Sequence, residues 1–562
     1  MDCATRLTPA FACEFARPVK GGEYMKGMRV WLAAIITLVV AALMIPAGAV
    51  GAPKSSLVVV SGMWSPPNNF SPINTDSSYG YYVVRFIFQG MMEARLENNQ
   101  MRFSPALATR WEASADRQTF RFTIHPRATW HDGRPVTAED VEFTVMTISD
   151  PKTETNRGAE IATIAGLTAG GKRVADQQLG FRILGPKSFE VRTKVPVDPQ
   201  MFFERFGGNV YILPKHVLGS VPPDQLARHP FFQNPTVGNG PFKFVQYKTD
   251  QFVELVVNEN YHNGAPKVRR VFVRIIPPTT MLAQLERQDL DLSAGFGIGE
   301  ILIEDWDRVK EMPHVRPVTI RAPGYQFMVF NFSRPYLEDK RVRRAMAHAI
   351  NRPLIVNQLL KGAGEIAEGP IPPANPYFNA AVKPWAYDTA RARALLQEAG
   401  WDFNRTIILR VPTGNILRER TGDIIRENLV AVGIKVEIQK SDFPTHLAAL
   451  TGKNYDIGLI GWAGPTDPDV SSQFRTGGQY NFGHHSIARM DQLLDEGVRL
   501  SDPARRKTIY NQFQELFADE LPYVVLYYPN GRTVIAKRMS GVNYDIFGLF
   551  DYLTYNWVAG PQ

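Results

Sequence analysis

The chain has 562 residues, 44% hydrophobic and 21% charged, with a net charge of +8. That is too long for one hydrophobic core, so at least two lobes are expected. No low-complexity tract, sustained heptad pattern or short tandem repeat is present, which sets fibrous and solenoid architectures aside.

The N-terminal segment reads as an export signal. Met25-Lys26-Gly27-Met28-Arg29 is basic, Trp31 to Ile45 is almost wholly apolar, and Ala47-Gly48-Ala49 supplies small residues at the two positions a signal peptidase reads. Cleavage after Ala49 gives a mature chain beginning at Val50, with Pro53 disfavouring the later site after Ala52. The segment before Met25 is unlike a signal n-region, so translation is expected to start at Met25 or Met28. The alternative is an uncleaved anchor, for which the apolar run is short, since a span needs about 20 residues. Cys3 and Cys13, the two cysteines, precede the apolar run. The mature chain therefore has no disulfide, no thiolate metal site, no cysteine nucleophile and no lipid-bearing N-terminal cysteine. An unanchored export product of this kind is expected in a periplasm. Removing five Lys/Arg and three Asp/Glu with the leader leaves a charge of +6. The short basic clusters Lys340-Arg341-Arg343-Arg344 and Arg505-Arg506-Lys507 are expected to be solvated helix faces. With no zinc-finger or aromatic-basic motif beside them, no nucleic-acid partner is expected.

In chain order, short strands are expected at Leu57 to Val60 and Thr119 to Ile124, then a helix opened by a capping box of Thr137 and Asp140. Strands follow at Phe252 to Asn258 and Val271 to Ile276. Gly295-Phe296-Gly297-Ile298-Gly299 reads as a loop. Val342, Ala345, Met346, Ala349 and Ile350 keep helical spacing, and a further helix opens at Pro353 and closes at Gly362. Asp388 caps a helix carrying Leu395 and Leu396 that stops at Gly400. Thr406 to Val411, Ile434 to Gln439 and Tyr455 to Ile460 are strands separated by helices at Leu417 to Val432 and Asp442 to Thr451. That βαβαβ pattern implies a parallel sheet covered by helices. Met490, Leu493, Leu494 and Val498 form one helical stripe, and Ser501-Asp502-Pro503 opens another helix with Ile509, Phe513 and Leu516.

Ligands of open parallel sheets sit outside the carboxyl ends of the strands. The third strand runs into Gly461-Trp462-Ala463-Gly464-Pro465, placing an aromatic on a loop at such an end. Trp462 is therefore expected to line a pocket with Tyr480, Asn481 and Asp467, and the set is completed by Trp64 and Tyr325. Gly477 and Gly478 would let the backbone beside Tyr480 approach a ligand closely. No HExxH, Walker A or G-x-S-x-G motif occurs. Asp467-Pro468-Asp469 reads as a solvated turn. Adjacent histidines on an extended segment face opposite ways, so His484 and His485 read as structural. Neither an enzyme, a cofactor nor a metal site is expected.

Several motifs occur in order: Pro105-Ala106-Leu107-Ala108 with Trp111, Thr119-Phe120, TWHDGRPVTAEDVEFT (Thr129 to Thr144), Gly238-Asn239-Gly240-Pro241-Phe242, VNENYHNGAPKVRRVFVRII (Val257 to Ile276), Leu285 to Leu292, VFNFSRPYLEDKRVRRAMAHAINR (Val329 to Arg352) and Gly369-Pro370-Ile371-Pro372-Pro373. From about Ser55 to the C-terminus the sequence resembles the extracellular solute-binding proteins of the peptide/nickel class, the dipeptide- and oligopeptide-binding proteins of ABC importers. The resemblance implies an α/β periplasmic-binding-protein clamshell, type II-like, with three domains in two lobes joined by a hinge. Domain I would comprise 53–98, 190–272 and 520–562, domain II 99–189 and domain III 273–519, after a leader at 1–49. It implies a monomer that captures a peptide or other small solute between the lobes and delivers it to inner-membrane permease subunits. It also implies structural roles: Trp130 and Gly133 in a turn, and Asn331, Arg343 and Arg344 at a strand–helix junction. Peptide binders of the family carry an acid shortly after the tryptophan of the GW motif, which pairs with the peptide ammonium. Here Pro465 stands in that place, and Asp467 would substitute only if the loop shifts. A secreted hydrolase on a similar fold and a metal-chelate or haem carrier of the same family are the competing readings.

Overall fold

A computed structural model describes residues 57–75, 78–97, 100–295, 297–321, 324–373, 375–463, 467–500, 502–542 and 554–561. The leader, the cleavage site at Ala49, Phe296 and Pro465 lie outside the described residues. Residues 53–562 form one compact unit, threaded by a twelve-stranded sheet.

The first half of the sheet contains β1 (Val58–Met63), β2 (Phe242–Lys248), β3 (Phe252–Val257), β4 (Arg270–Ile275) and β5 (Leu292–Ser293), in the order β5-β1-β4-β3-β2. β1 lies parallel to β4 and β5, while β4, β3 and β2 are successively antiparallel. β6 (Val315–Arg321) leads to β7 (Gly324–Phe330), which opens the second half. That half adds β8 (Thr406–Pro412), β9 (Lys435–Ser441) and β10 (Ile457–Ala463) in the order β9-β8-β10-β7. β11 (Tyr523–Ala536) joins the halves. Tyr523 to Tyr527 pairs with β7, and Asn530 to Ala536 pairs with β6. Strand alternation gives β7 two cores. Phe327 and Val329 pack with Phe474, Phe513 and Tyr523 on one face; Met328 and Phe330 pack with Leu409, Ile425 and Leu429 on the other.

The βαβαβ expectation is met: β8 lies between β9 and β10 and is parallel to both. The connecting helices are α1 (Ile416–Ala431) and α2 (Phe443–Thr451). Asn415 Oδ1 caps α1 by accepting from the Arg418 amide at 3.0 Å, and Gly433 follows its end at φ 97°. One boundary differs in a way that matters. The third strand starts at Ile457 and runs on to Ala463, so Trp462 is a strand residue rather than a loop residue, paired directly with Tyr325. Tyr455 and Asp456 are used instead as anchors. Asp456 Oδ2 accepts from the Ile408 amide at 2.7 Å, and the Tyr455 hydroxyl donates to the Phe482 carbonyl.

A separate four-stranded antiparallel sheet holds Ala108–Ala113, Thr119–Ile124, Ser188–Arg192 and Phe181–Gly185. Beside it, the Thr137 amide donates to Asp140 Oδ2 at 2.8 Å, as a capping box requires. Trp130 is buried and donates to the same carboxylate at 3.3 Å, with Gly133 turning at φ 91°. Asn331 Nδ2 donates to the Tyr455 carbonyl at 2.7 Å. Arg343, 1% exposed, donates to the carbonyls of Leu337, Glu338, Glu520 and Leu521. The two basic clusters are therefore not wholly solvated faces. Arg343 and Arg506 are turned inward because each finds a buried set of acceptors, while Lys340, Arg341 and Arg344 pair with Asp339 and Asp519 outside.

Candidate functional site

The carboxyl ends of β8, β9 and β10 meet the first turn of α1 at one edge of the second half-sheet. The first half faces that edge. A Cβ on Gly414 would lie 3.5 Å from Ser65 Oγ, so the two halves nearly touch there. Arg157, Glu160, Arg205 and Arg418 are half-buried, and Arg205 reaches Asp469 at 2.6 Å.

Trp462 and Tyr480 come together as expected, with ring centroids 4.7 Å apart, and both stay partly exposed. With the Gln473 amide turned to present its oxygen, Trp462 Nε1 donates to it at 2.6 Å. The Tyr480 hydroxyl crosses to the other lobe and donates to the Asn156 carbonyl at 3.2 Å. The remaining expected residues are engaged inside the protein. Trp64, 9% exposed, packs against Ile276, Met281 and Leu285 and donates to the Glu300 carbonyl at 3.1 Å. Tyr325 is 1% exposed and packs on Phe327 at 5.4 Å. Asn481 is buried, and its amide nitrogen closes its own loop on the carbonyls of Arg475 and His485. His484 and His485 face the carbonyls of Leu450 and Phe474 at 3.0 Å, and burial pushes His485 down to about 4.

Asp467 is not in a solvated turn. Arg506 grips it through two bonds of 2.8 and 3.0 Å, with both side chains buried. Asp467 Oδ1 also accepts from the Asp469 amide at 2.9 Å. Asp469 meets Arg205 of the opposite lobe at 2.6 Å, and the Asp467 amide donates across to Glu204 at 3.3 Å. Burial, reinforced by the Asp467 charge, pushes Glu204 up to about 8. Burial also raises Glu160, with Arg205 and Arg157 opposing the rise. Arg157 in turn lies 4.9 Å over the Tyr81 ring.

Arg418 stands apart. Its Nε donates to Gln326 Oε1 at 2.9 Å, and burial lowers its pKa; the groups that oppose this are Tyr527 and Tyr79, not a carboxylate. Gln326 lies directly over Gly461, where an added Cβ would fall 2.2 Å from Gln326 Nε2. Thus the glycine before Trp462 makes room for the side chain that orients Arg418. Sequence reasoning missed Arg205, Arg418 and Arg506, because an arginine in a polar helix turn carries no local mark of whether it faces water or a cleft.

The geometry has counterparts in known proteins. The family model for bacterial extracellular solute-binding proteins, family 5 middle region, matches residues 102–483. An oligopeptide-binding protein, AppA of Bacillus subtilis, is 28% identical over 437 residues, covering 74% of this chain and 76% of its own. The structure of that protein in complex with a nonapeptide superposes with a TM-score of 0.81 over 91% of this chain and all of the other, at 24% identity. The murein tripeptide binding protein MppA of Escherichia coli gives 0.80 over 91% of this chain and 99% of the other, at 19% identity. The fold is thus the mixed α/β, two-lobe fold of periplasmic binding proteins, and the chain belongs to family 5 of the bacterial extracellular solute-binding proteins.

Proposed function

We propose that this protein is a periplasmic receptor that captures a peptide or another small solute between its lobes and hands it to the permease of an ABC importer. The observation that carries this reading is the interlobe edge itself. Trp462 and Tyr480 offer an aromatic wall at the carboxyl end of a parallel strand, and Arg418 offers a charged anchor beside it, the mixture small-molecule sites use. The peptide-binding relatives support a peptide as the solute. Among the described residues no helix is long and apolar enough to cross a membrane, and a cleaved leader ending at Ala49 would release the receptor. The domain I segments 53–98, 190–272 and 520–562, domain II at 99–189 and domain III at 273–519 remain the working division. The strand pairings favour moving β5 and β6 to the first lobe, with one crossing between β6 and β7 and another within β11.

Native mass spectrometry of protein purified from an exporting cell, without a denaturing step, tests this. The expected spectrum carries a small solute that departs on unfolding. A bare protein that also fails to take up any peptide from a digest would contradict it.

A further inference from the structure

The sequence holds three Asn-X-Ser/Thr triplets with no Pro in the middle: Asn69-Phe70-Ser71, Asn331-Phe332-Ser333 and Asn404-Arg405-Thr406. In an exported protein such a triplet is an acceptor pattern for an N-linked oligosaccharide, provided the asparagine amide stands on an accessible surface loop. The fold uses up two of the three. Asn331 is 0% exposed and donates to the carbonyls of Lys453 and Tyr455, while its Oδ1 accepts from the Ser333 amide. Asn69 Oδ1 accepts from the Ser71 amide at 2.9 Å, and Phe70 and Ser71 are fully buried. The third triplet is presented outward. Asn404 and Thr406 are both exposed, and among the described residues neither side chain bonds to the protein. Asp402 builds the turn that carries Asn404. Its Oδ1 accepts from the Asn404 backbone amide at 2.9 Å, and its carbonyl accepts from the Arg405 amide at 3.0 Å. The neighbouring side chains are folded down beside it. A Cβ on Gly433 would fall 3.0 Å from Phe403 Cδ1, and the Arg405 guanidinium lies 4.0 Å over the Tyr336 ring.

We infer that Asn404 is a modification site: its free side-chain amide, held out on the turn before β8, accepts an oligosaccharide from a polyprenyl-diphosphate carrier after export. In the transfer Asn404 Nδ2 bonds to C1 of the first sugar, and the bond from that carbon to the diphosphate oxygen breaks. The amide gives one proton to a base of the transferase, and polyprenyl diphosphate leaves. Thr406 supplies the hydroxyl that completes the acceptor pattern. The inference rests on the export proposed above, because the acceptor must meet its donor outside the cytoplasm, and it asks nothing of the solute cleft. Asn404 lies beyond the amino end of β8, whereas the interlobe edge lies at the carboxyl end. The seven residues of β8, at about 3.3 Å each, separate the two by roughly 20 Å. A sugar at Asn404 therefore leaves the cleft open.

The test is peptide mapping by mass spectrometry of the full chain purified from its native cell, with the N-terminal peptide read in the same digest. The peptide containing Asn404 is expected to carry the mass of an oligosaccharide, and those containing Asn69 and Asn331 to be bare. Asn404→Gln and Thr406→Val should each abolish the added mass, and Thr406→Ser should retain it. All three variants should keep the wild-type melting temperature, since neither side chain holds the fold together, so a lost modification is not a lost structure. A bare Asn404 in protein whose N-terminal peptide begins at Val50 overturns the inference and leaves the export reading intact. Sugar found at Asn69 or Asn331 in place of Asn404 also overturns it. A bare Asn404 in protein that keeps its leader overturns the inference and the export reading together.

Discussion

Trp462 and Arg343 show two opposite fates for a large side chain. Trp462 sits at the rim of its core cluster, partly exposed, with Tyr480 on one side. Trp462→Ala should weaken solute binding by roughly 1–3 kcal/mol, the scale of a lost aromatic anchor. The ligand-free melting temperature should fall little; a large fall with unchanged affinity, measured on the same sample, would make Trp462 a core residue. Arg343 is the reverse case. Replacing it by Met strands four backbone carbonyls and should cost about 3 kcal/mol of folding stability, read as a lower urea midpoint, without altering affinity in the folded fraction. An unchanged midpoint would mean that water replaces the guanidinium. Sequence spacing placed Arg343 on a helix correctly, but not the side facing in. Only the chain turn at Glu520 and Leu521, some 180 positions away, supplies two of its acceptors.

Elements were more legible than contacts. The β8-α1-β9-α2-β10 unit could be read from apolar runs, caps and Gly433, because each signal is local. Where β10 ends was not local. It runs to Ala463 because β7 extends far enough to pair with it, and β7 is more than 130 positions earlier. That pairing puts Gly461 opposite Gln326, which gives the element its functional consequence. Gly461→Ala would drive a methyl group into the Gln326 side chain. Gln326 can swing away, so stability should fall by only about 1 kcal/mol. Arg418 would lose its support, and affinity for a carboxylate-bearing probe should drop more than affinity for its amide. Equal losses for the two probes would show that Gln326 does not position Arg418.

The whole molecule carries opposing proton linkages. His131, His262 and His485 are pushed by burial down to about 4, so the stability they allow is present above the ordinary histidine value of 6.5 and is lost as pH falls through about 4. Glu204 runs the other way. Its pKa is raised from 4.5 to about 8, so its contribution is fully present below pH 4.5 and is lost as pH rises through about 8. The groups facing it are Arg205, Glu160 and Asp467. Glu204→Gln should flatten the decline of melting temperature between pH 6.5 and 8; an unchanged decline would show that another group takes up the proton. Two lobes joined through β11 and the β6–β7 step are expected to close when a ligand contacts both of them. Small-angle X-ray scattering on solute-stripped protein tests that directly, with an equimolar mixture of trialanine, its N-acetyl form and its amide as titrant. The radius of gyration should shrink as the mixture saturates the protein. A radius that stays constant while the same mixture raises the melting temperature would contradict capture between the lobes.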